Sequence, residues 1–435
     1  MSALAVLLRA QGWAVSGSDR SRDRGETPEK FVSLEKQGIQ LCPQDGSGIM
    51  DDIDVLIVSS AVEDSIPDVA AAKQKDIPIK KRAEILAGMF NAAKTSVAIG
   101  GTSGKSTVTA MTGWILSHAG YDPVIANGAH MVNFDGQNAK TGSGPFVAEV
   151  DESDGSIDLF NPAVAVVTNI SLDHKSMDEL RNLFSGFVQR ASTAIINLDD
   201  PESEFLIKLG KCASFSLHNE KADFCALDIK PHGNGVSFLI GDVPVLLRVP
   251  GRHNVANALA AIAAACAVGV SLQDAATALA AHKGIKRRFE VVGTKNNVTV
   301  IDDFAHNPDK IAATLHTLHE QPGRILAVFQ PHGFGPTQLM KDVLIETFKQ
   351  ELNDDDMLLM PEIYYAGGTA TKSISSADIV ADVMAGGRNA HFFATREDIV
   401  PFISKKAQSG DRVIIMGARD DTLPQFAASI LQVLP

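Results

Sequence analysis

Seven consecutive residues, Gly101-Thr102-Ser103-Gly104-Lys105-Ser106-Thr107, have the types and spacing to hold a chain of phosphates. Glycines let a backbone wrap around an anion. The N–H groups at a helix start point at phosphate oxygens, and the helix dipole favours negative charge there. Lys105 would reach the outer phosphates and the Ser106 hydroxyl would ligate Mg²⁺. The run Val97-Ala98-Ile99 before the loop reads as a buried strand, and the residues after it read as a helix closing at Gly120. The spacing departs from G-x-x-x-x-G-K-[ST], because Ile99 stands at the first glycine position and the glycine comes one place later. A tight glycine turn alone would explain the glycines. It would not explain the Lys-Ser-Thr at a strand-to-helix junction.

Further groups could converge on that loop. A strand over Pro145 to Val150 ends in Glu149-Val150-Asp151-Glu152-Ser153-Asp154, and a strand over Val164 to Asn169 leads into Asp173-His174. In a parallel sheet both strand ends would lie near the phosphate loop. Glu149 offers the hard oxygen that Mg²⁺ prefers, and His174 is a softer ligand. Asn254 and Asn257 lie one turn apart on a helix and face the same way, so their amides could bind one ligand together. Helix capping by Asn254 accounts for that residue equally well. In Lys286-Arg287-Arg288-Phe289 a guanidinium fits phosphate bidentately; an exposed basic turn is the simpler alternative.

The segment Gly101–Ser106 resembles the G-T-x-G-K-[ST] loop of the Mur ligases, the ATP-dependent amide-forming enzymes of peptidoglycan precursor synthesis. The resemblance runs over nearly the whole chain and is nearest to the branch that joins L-alanine to UDP-N-acetylmuramate. It implies that Gly101, Thr102, Ser103, Gly104, Lys105, Ser106, Thr107, Asn254, Asn257, Arg287, Arg288 and Asp303 bind ATP. It implies one Mg²⁺ on Ser106 and Glu149, and a second on His174, twenty-five positions beyond Glu149. Lys105, Glu149, His174 and Arg288 take the catalytic roles, while Glu152 and His306 face substrate. Asp302-Asp303-Phe304-Ala305-His306-Asn307-Pro308 stands for the family's D-D-Y-G-H-H-P. The sharpest departures follow Phe329-Gln330-Pro331-His332. There the family's R-Y-S-R becomes Gly333-Phe334-Gly335-Pro336, so both substrate-binding arginines are absent. Pro361-Glu362-Ile363-Tyr364 and Ala366-Gly367-Gly368 replace D-V-Y-A-A-G-E.

The elements that must position these groups form an α/β chain of three-domain Mur ligase architecture. Its length of 435 residues demands two or three domains. Residues 1–93 read as a Rossmann-like UDP-substrate domain: a helix over residues 2–11 and strands at Trp13–Ser16 and Asp54–Ser59. Its first strand and glycine loop are missing, so the chain looks truncated there. Residues 94–283 read as the central ATP-binding domain, with a small antiparallel patch over residues 212–248 and a loop after Asn127-Gly128. Residues 284–435 alternate strand and helix as a doubly wound closure domain. A net charge of −13 argues against a nucleic-acid partner. The longest apolar run, Ala258 to Val270, is too short to span a bilayer. Cys42, Cys212, Cys225 and Cys266 lack metal or disulfide spacing, and free thiols fit a cytoplasmic protein.

The expectation is an ATP-dependent amide ligase that phosphorylates a carboxylate and lets an amine attack the acyl phosphate. The substrates would be a UDP-sugar carboxylate and an amino acid, first of all L-alanine. A paralogue using another amino acid or carboxylate competes with that reading. So do a transferase or kinase with no amide product and a nucleotide-binding relative without catalysis.

Overall fold

The computed structural model describes residues 1–59, 62–172, 175–232, 235–365 and 372–434. The chain packs as two compact units, Met1–Ile285 and Lys286–Pro435.

In the first unit, β1 (Ser96–Gly100), β2 (Val124–Met131), β3 (Gln137–Lys140), β4 (Phe146–Glu149), β5 (Val164–Val167), β6 (Thr193–Asn197), β7 (Cys212–Ser216) and β8 (Phe224–Cys225) make one sheet. Their order is β8-β7-β6-β5-β1-β4-β2-β3, parallel except for the antiparallel edge pair β2/β3. The strands read as apolar runs because both faces are covered. Val97 and Ile99 point to one face, against helices Lys105–His118 and Arg252–Val268. Ala98 points to the other, with the helices Arg82–Asn91 and Met177–Arg190. β1 lies well inside the sheet and all five of its residues are buried, so the loop that follows has a rigid base.

Three expectations need correction here. Asn127 and Gly128 lie within β2 and not before a loop. Within residues 212–248, β7 and β8 extend the main parallel sheet, and only Leu227–His232, Gly235–Ile240 and Val243–Leu247 form an antiparallel sheet. The strand expected at Trp13–Ser16 occupies Ser16–Ser18, and the one at Asp54–Ser59 contracts to Leu56–Val58. These pair in parallel with Gln40–Cys42 and Ile79–Lys81, as two separate two-stranded sheets. The opening helix, Ser2–Ala10, ends as expected before Gly12 in the left-handed region, and its Leu4 and Leu7 are buried in the core beneath the central sheet.

The second unit holds β9 (Glu290–Lys295), β10 (Val298–Asp303), β11 (Ile325–Gln330), β12 (Met357–Pro361), β13 (Ala390–Phe393) and β14 (Arg412–Gly417). The order is β9-β10-β14-β11-β12-β13, with only β9 antiparallel. Helices α1 (Pro308–His319), α2 (Phe334–Glu351) and α3 (Ser376–Ala385) pack on one face through Ile311, Leu344, Phe348 and Ile379. Helices α4 (Ile399–Lys406) and α5 (Leu423–Val433) cover the other through Ile399, Ile403, Phe426 and Ile430. The helix after β11 and the helix after β14 therefore lie on opposite faces of adjacent parallel strands. That is a topological switch point, where a crevice opens at the carboxyl ends of the strands.

Candidate active site

At the carboxyl end of β1 the chain turns through Gly101 and Gly104, at φ +129° and +86°. Only glycine fits the first of these, since a Cβ on Gly101 would stand 2.0 Å from Thr168 Oγ1. The loop is tied to the end of the next strand. Thr102 N donates to Asn169 O (3.0 Å), and Ser103 N to Asn169 Oδ1 (2.9 Å). Thr168 Oγ1 donates to Ser103 O (2.6 Å). Gly104 caps the helix that starts at Lys105, which puts Ser106 and Thr107 in its first turn.

Two polar pairs dominate the loop. Lys105 Nζ donates to Gly101 O (2.7 Å) and to both oxygens of Glu152 (3.1 and 2.9 Å). Glu152 is buried, and desolvation raises its carboxyl above the usual range although Lys105 opposes the shift. Ser106 Oγ donates to Glu149 Oε2 (2.8 Å), and Gly128 N donates to the same oxygen (2.9 Å). Asn127 Nδ2 donates to Ser106 O (3.0 Å), which fixes the first helical turn. Glu149 and Ser106 thus present hard oxygens side by side, the donor type that Mg²⁺ takes. His174 and Asp173 lie outside the described residues, as do Ala366, Gly367 and Gly368.

Asn257 meets the loop: its Oδ1 would be 2.5 Å from a Cβ on Gly104. Asn254, expected either to bind ATP or to cap its helix, stands in the first turn of that helix. It is buried, and its Nδ2 donates to Pro250 O (2.7 Å), so it secures the turn before its helix.

In the second unit the arginine turn is folded inward. Arg287 donates to Gly417 O (2.8 Å) and Asp420 O (3.3 Å), and its Nε lies 3.5 Å from Asp302. Arg287 and Arg288 lie over the Phe304 ring at 5.0 and 4.8 Å. The Asp303 carboxylate accepts from Phe289 N (2.6 Å), Ala305 N (2.8 Å) and Thr314 Oγ1 (3.3 Å). Arg287 and Asp303, both expected at the nucleotide, make these hydrogen bonds within the second unit. His306 Nδ1 bonds to Phe304 O (2.8 Å), which assigns the proton to Nδ1 and the lone pair to Nε2. Burial lowers His306 to about 3, so the ring is neutral. Its centroid lies 5.7 Å from that of His332. Sequence reasoning missed Asn127, Gly128 and Asn169. The Asn-Gly pair and the asparagine closing a buried strand were the available signals.

The family models for a Mur ligase catalytic domain, a Mur ligase middle domain and a Mur ligase glutamate-ligase domain match residues 1–94, 99–265 and 287–419 in turn. The chain belongs to the Mur ligase family. This Mur ligase is 36% identical to the UDP-N-acetylmuramate–L-alanine ligase of Lachnospira eligens, over 97% of this chain and 93% of that one. It is 34% identical to the enzyme of the same name from Chelativorans sp., covering 98% and 94%. Among solved structures it resembles the UDP-N-acetylmuramate-alanine ligase of Thermotoga maritima, at TM-score 0.83 and 26% identity over 100% and 95% of the chains. As a Mur ligase the chain is an ATP-dependent ligase. Among the described residues no helix is long and apolar enough to cross a membrane.

Proposed function

We propose that this Mur ligase activates the carboxylate of UDP-N-acetylmuramate as an acyl phosphate and joins it to an amino acid, L-alanine in the first instance, with release of ADP and phosphate. The observation that carries the reading is the loop at the end of β1. Lys105, the Ser106–Glu149 pair and a row of backbone N–H groups gather there at one strand end. ATP is the phosphoryl donor, held by Gly101 to Thr107 with Asn257 beside the loop. Ser106 and Glu149 fit one Mg²⁺ ion, and His174 would hold a second; when bound, such ions supply positive charge against the phosphates. Lys105 adds a second positive charge, which it can deliver only by leaving Glu152. In the terminal unit, His306 offers an unprotonated Nε2 to the incoming ammonium. An imidazole held near 3 is too weak a base to take the ammonium's proton, so the ring orients the amine by accepting a hydrogen bond from it. Arg288 is the cation kept for the transferring phosphoryl group.

A second reading keeps the chemistry and changes the acceptor. The turn after β11 is Gly333-Phe334-Gly335-Pro336 and carries no cation. Phe334 packs instead on Tyr365, with ring centroids 5.3 Å apart. An acceptor larger than alanine suits that aromatic wall, where Lys372 Nζ stands 5.8 Å from the Phe334 ring centroid. Phosphate release with ATP, Mg²⁺ and UDP-N-acetylmuramate, against each of the twenty amino acids and murein tripeptide, tests both readings. Stimulation by alanine, with the amide seen by mass spectrometry, supports the first. Stimulation by another acceptor supports the second, and silence throughout overturns both.

A further inference from the structure

The crevice at the switch point of the second unit is bordered by the residues that follow β11 and β14. His332 stands after β11 and Arg419 after β14. Arg419 has φ +65°, in the left-handed region. Most of the chain's other non-glycine residues with positive φ are Asp or Asn, whose short polar side chains tolerate it. A long side chain there is strained and persists only where the surroundings enforce it. They do so here from both sides. Gly417 O and Asp420 O are held by Arg287. The buried Asp420 carboxylate is held by Arg396 Nη1 (2.6 Å), Gln330 Nε2 (3.3 Å), Thr422 N (2.9 Å) and Thr422 Oγ1 (2.6 Å).

The strained turn delivers an exposed guanidinium with no internal partner. Among the described residues Arg419 has no ion pair and no hydrogen bond. Arg324, Arg388 and Arg396 are each paired with a carboxylate, and Arg287 and Arg412 are held by carbonyls. Arg419 nonetheless acts on the crevice. After burial, its charge is the second cause that holds His332 below the usual histidine range. The crevice therefore places the Arg419 guanidinium beside two imidazoles whose charged forms burial disfavours. A guanidinium fork matches a carboxylate, and an imidazole lone pair accepts from an ammonium. Together they match the two ends of an amino-acid zwitterion.

We propose that Arg419 binds the α-carboxylate of the amino acid that this ligase joins, and so sets the orientation in which the amine is presented. The inference rests on the ligase reading above and assigns its acceptor subsite. The assay is phosphate release with ATP, UDP-N-acetylmuramate and whichever of the twenty amino acids stimulates the wild type most. Arg419→Gly removes the guanidinium and also relieves the backbone, so the fold is retained. We expect its KM for the amino acid to rise roughly 30- to 100-fold, the loss of one bidentate charge-assisted contact. The KM values for ATP and UDP-N-acetylmuramate stay within about twofold. Arg419→Lys recovers part of the loss. The wild type discriminates strongly against the same amino acid as its carboxamide, and Arg419→Gly does not. An unchanged amino-acid KM, or a rise confined to ATP, overturns the assignment while leaving the ligase reading intact. Silence of the wild type with every amino acid overturns the ligase reading, and the assignment falls with it.

Discussion

Side chains at the two candidate sites divide into those a sequence motif identifies and those only the folded chain explains. The convergence of Lys105, Ser106 and Glu149 was legible, because a phosphate loop calls for Lys-Ser and parallel strands bring their carboxyl ends together. The bonds that Arg287 and Asp303 make inside the unit, and the exposure of Arg419, were not. Whether an arginine faces ligand or carbonyl depends on turns whose backbone angles are enforced from more than a hundred residues away, as Arg287 on Gly417 shows. Asp302 belongs to the same class. Its carboxylate oxygens are buried without hydrogen-bond partners, and Arg287 Nε is 3.5 Å away. Burial raises its carboxyl to about 7, against the pull of Arg287. The folded chain therefore keeps a proton that the unfolded chain releases near pH 4. The associated stability is complete below that pH and is lost as pH rises through about 7. Asp302→Asn removes this dependence. Its stability relative to wild type should climb between pH 4 and 7, by up to about 1.4 kcal/mol per pH unit. Urea unfolding at pH 5, 6, 7 and 8 measures it, and a constant difference across the series would contradict the account.

Elements were legible where a run was long and apolar, which is why β1, β5, β10, β11 and β14 fall close to their expected places. Direction and partner were less so. β7 mixes polar with apolar residues and β8 has two residues, and such runs do not say whether a neighbour is parallel. β9 was missed although its turn was visible: Asn296 and Asn297 both take positive φ and close a two-residue hairpin onto β10. The strand–loop–helix unit at the phosphate loop makes the strictest demand. Gly101→Ala forces a methyl group onto Thr168 Oγ1, whose bonds to Gly100 O and Ser103 O shape the loop. ATP-dependent turnover should fall by roughly 100-fold or more, the penalty for displacing a reacting group by about 1 Å. Gly120→Ala at the far end of the same helix also has positive φ but meets no atom within 4 Å. It should cost about 1 kcal/mol of stability and leave turnover intact. Steady-state kinetics and melting of both variants check the contrast, which equal activity losses would refute.

At the scale of the molecule, the sequence conveyed an α/β chain with a break near residue 284, and the chain divides into units at Ile285/Lys286. The second unit has a complete six-stranded sheet with a separate apolar core on each face. Residues 286–435 expressed alone should unfold in one cooperative urea transition; a broad, non-cooperative transition would refute that autonomy. The Lys105–Glu152 pair reaches beyond its own site in the same sense, since it couples ATP to the proton count of the entire protein. When phosphates draw Lys105 away, Glu152 stays buried without its cation and its carboxyl moves further up. Nucleotide binding then takes up a proton from solution. The heat of binding should vary with the ionisation enthalpy of the buffer, and ATP affinity should weaken as pH rises through the interval between the two states of Glu152. In Glu152→Gln both dependences should vanish. Calorimetry in phosphate and Tris at one pH would expose the linkage, and identical heats would show that Glu152 keeps its lysine throughout.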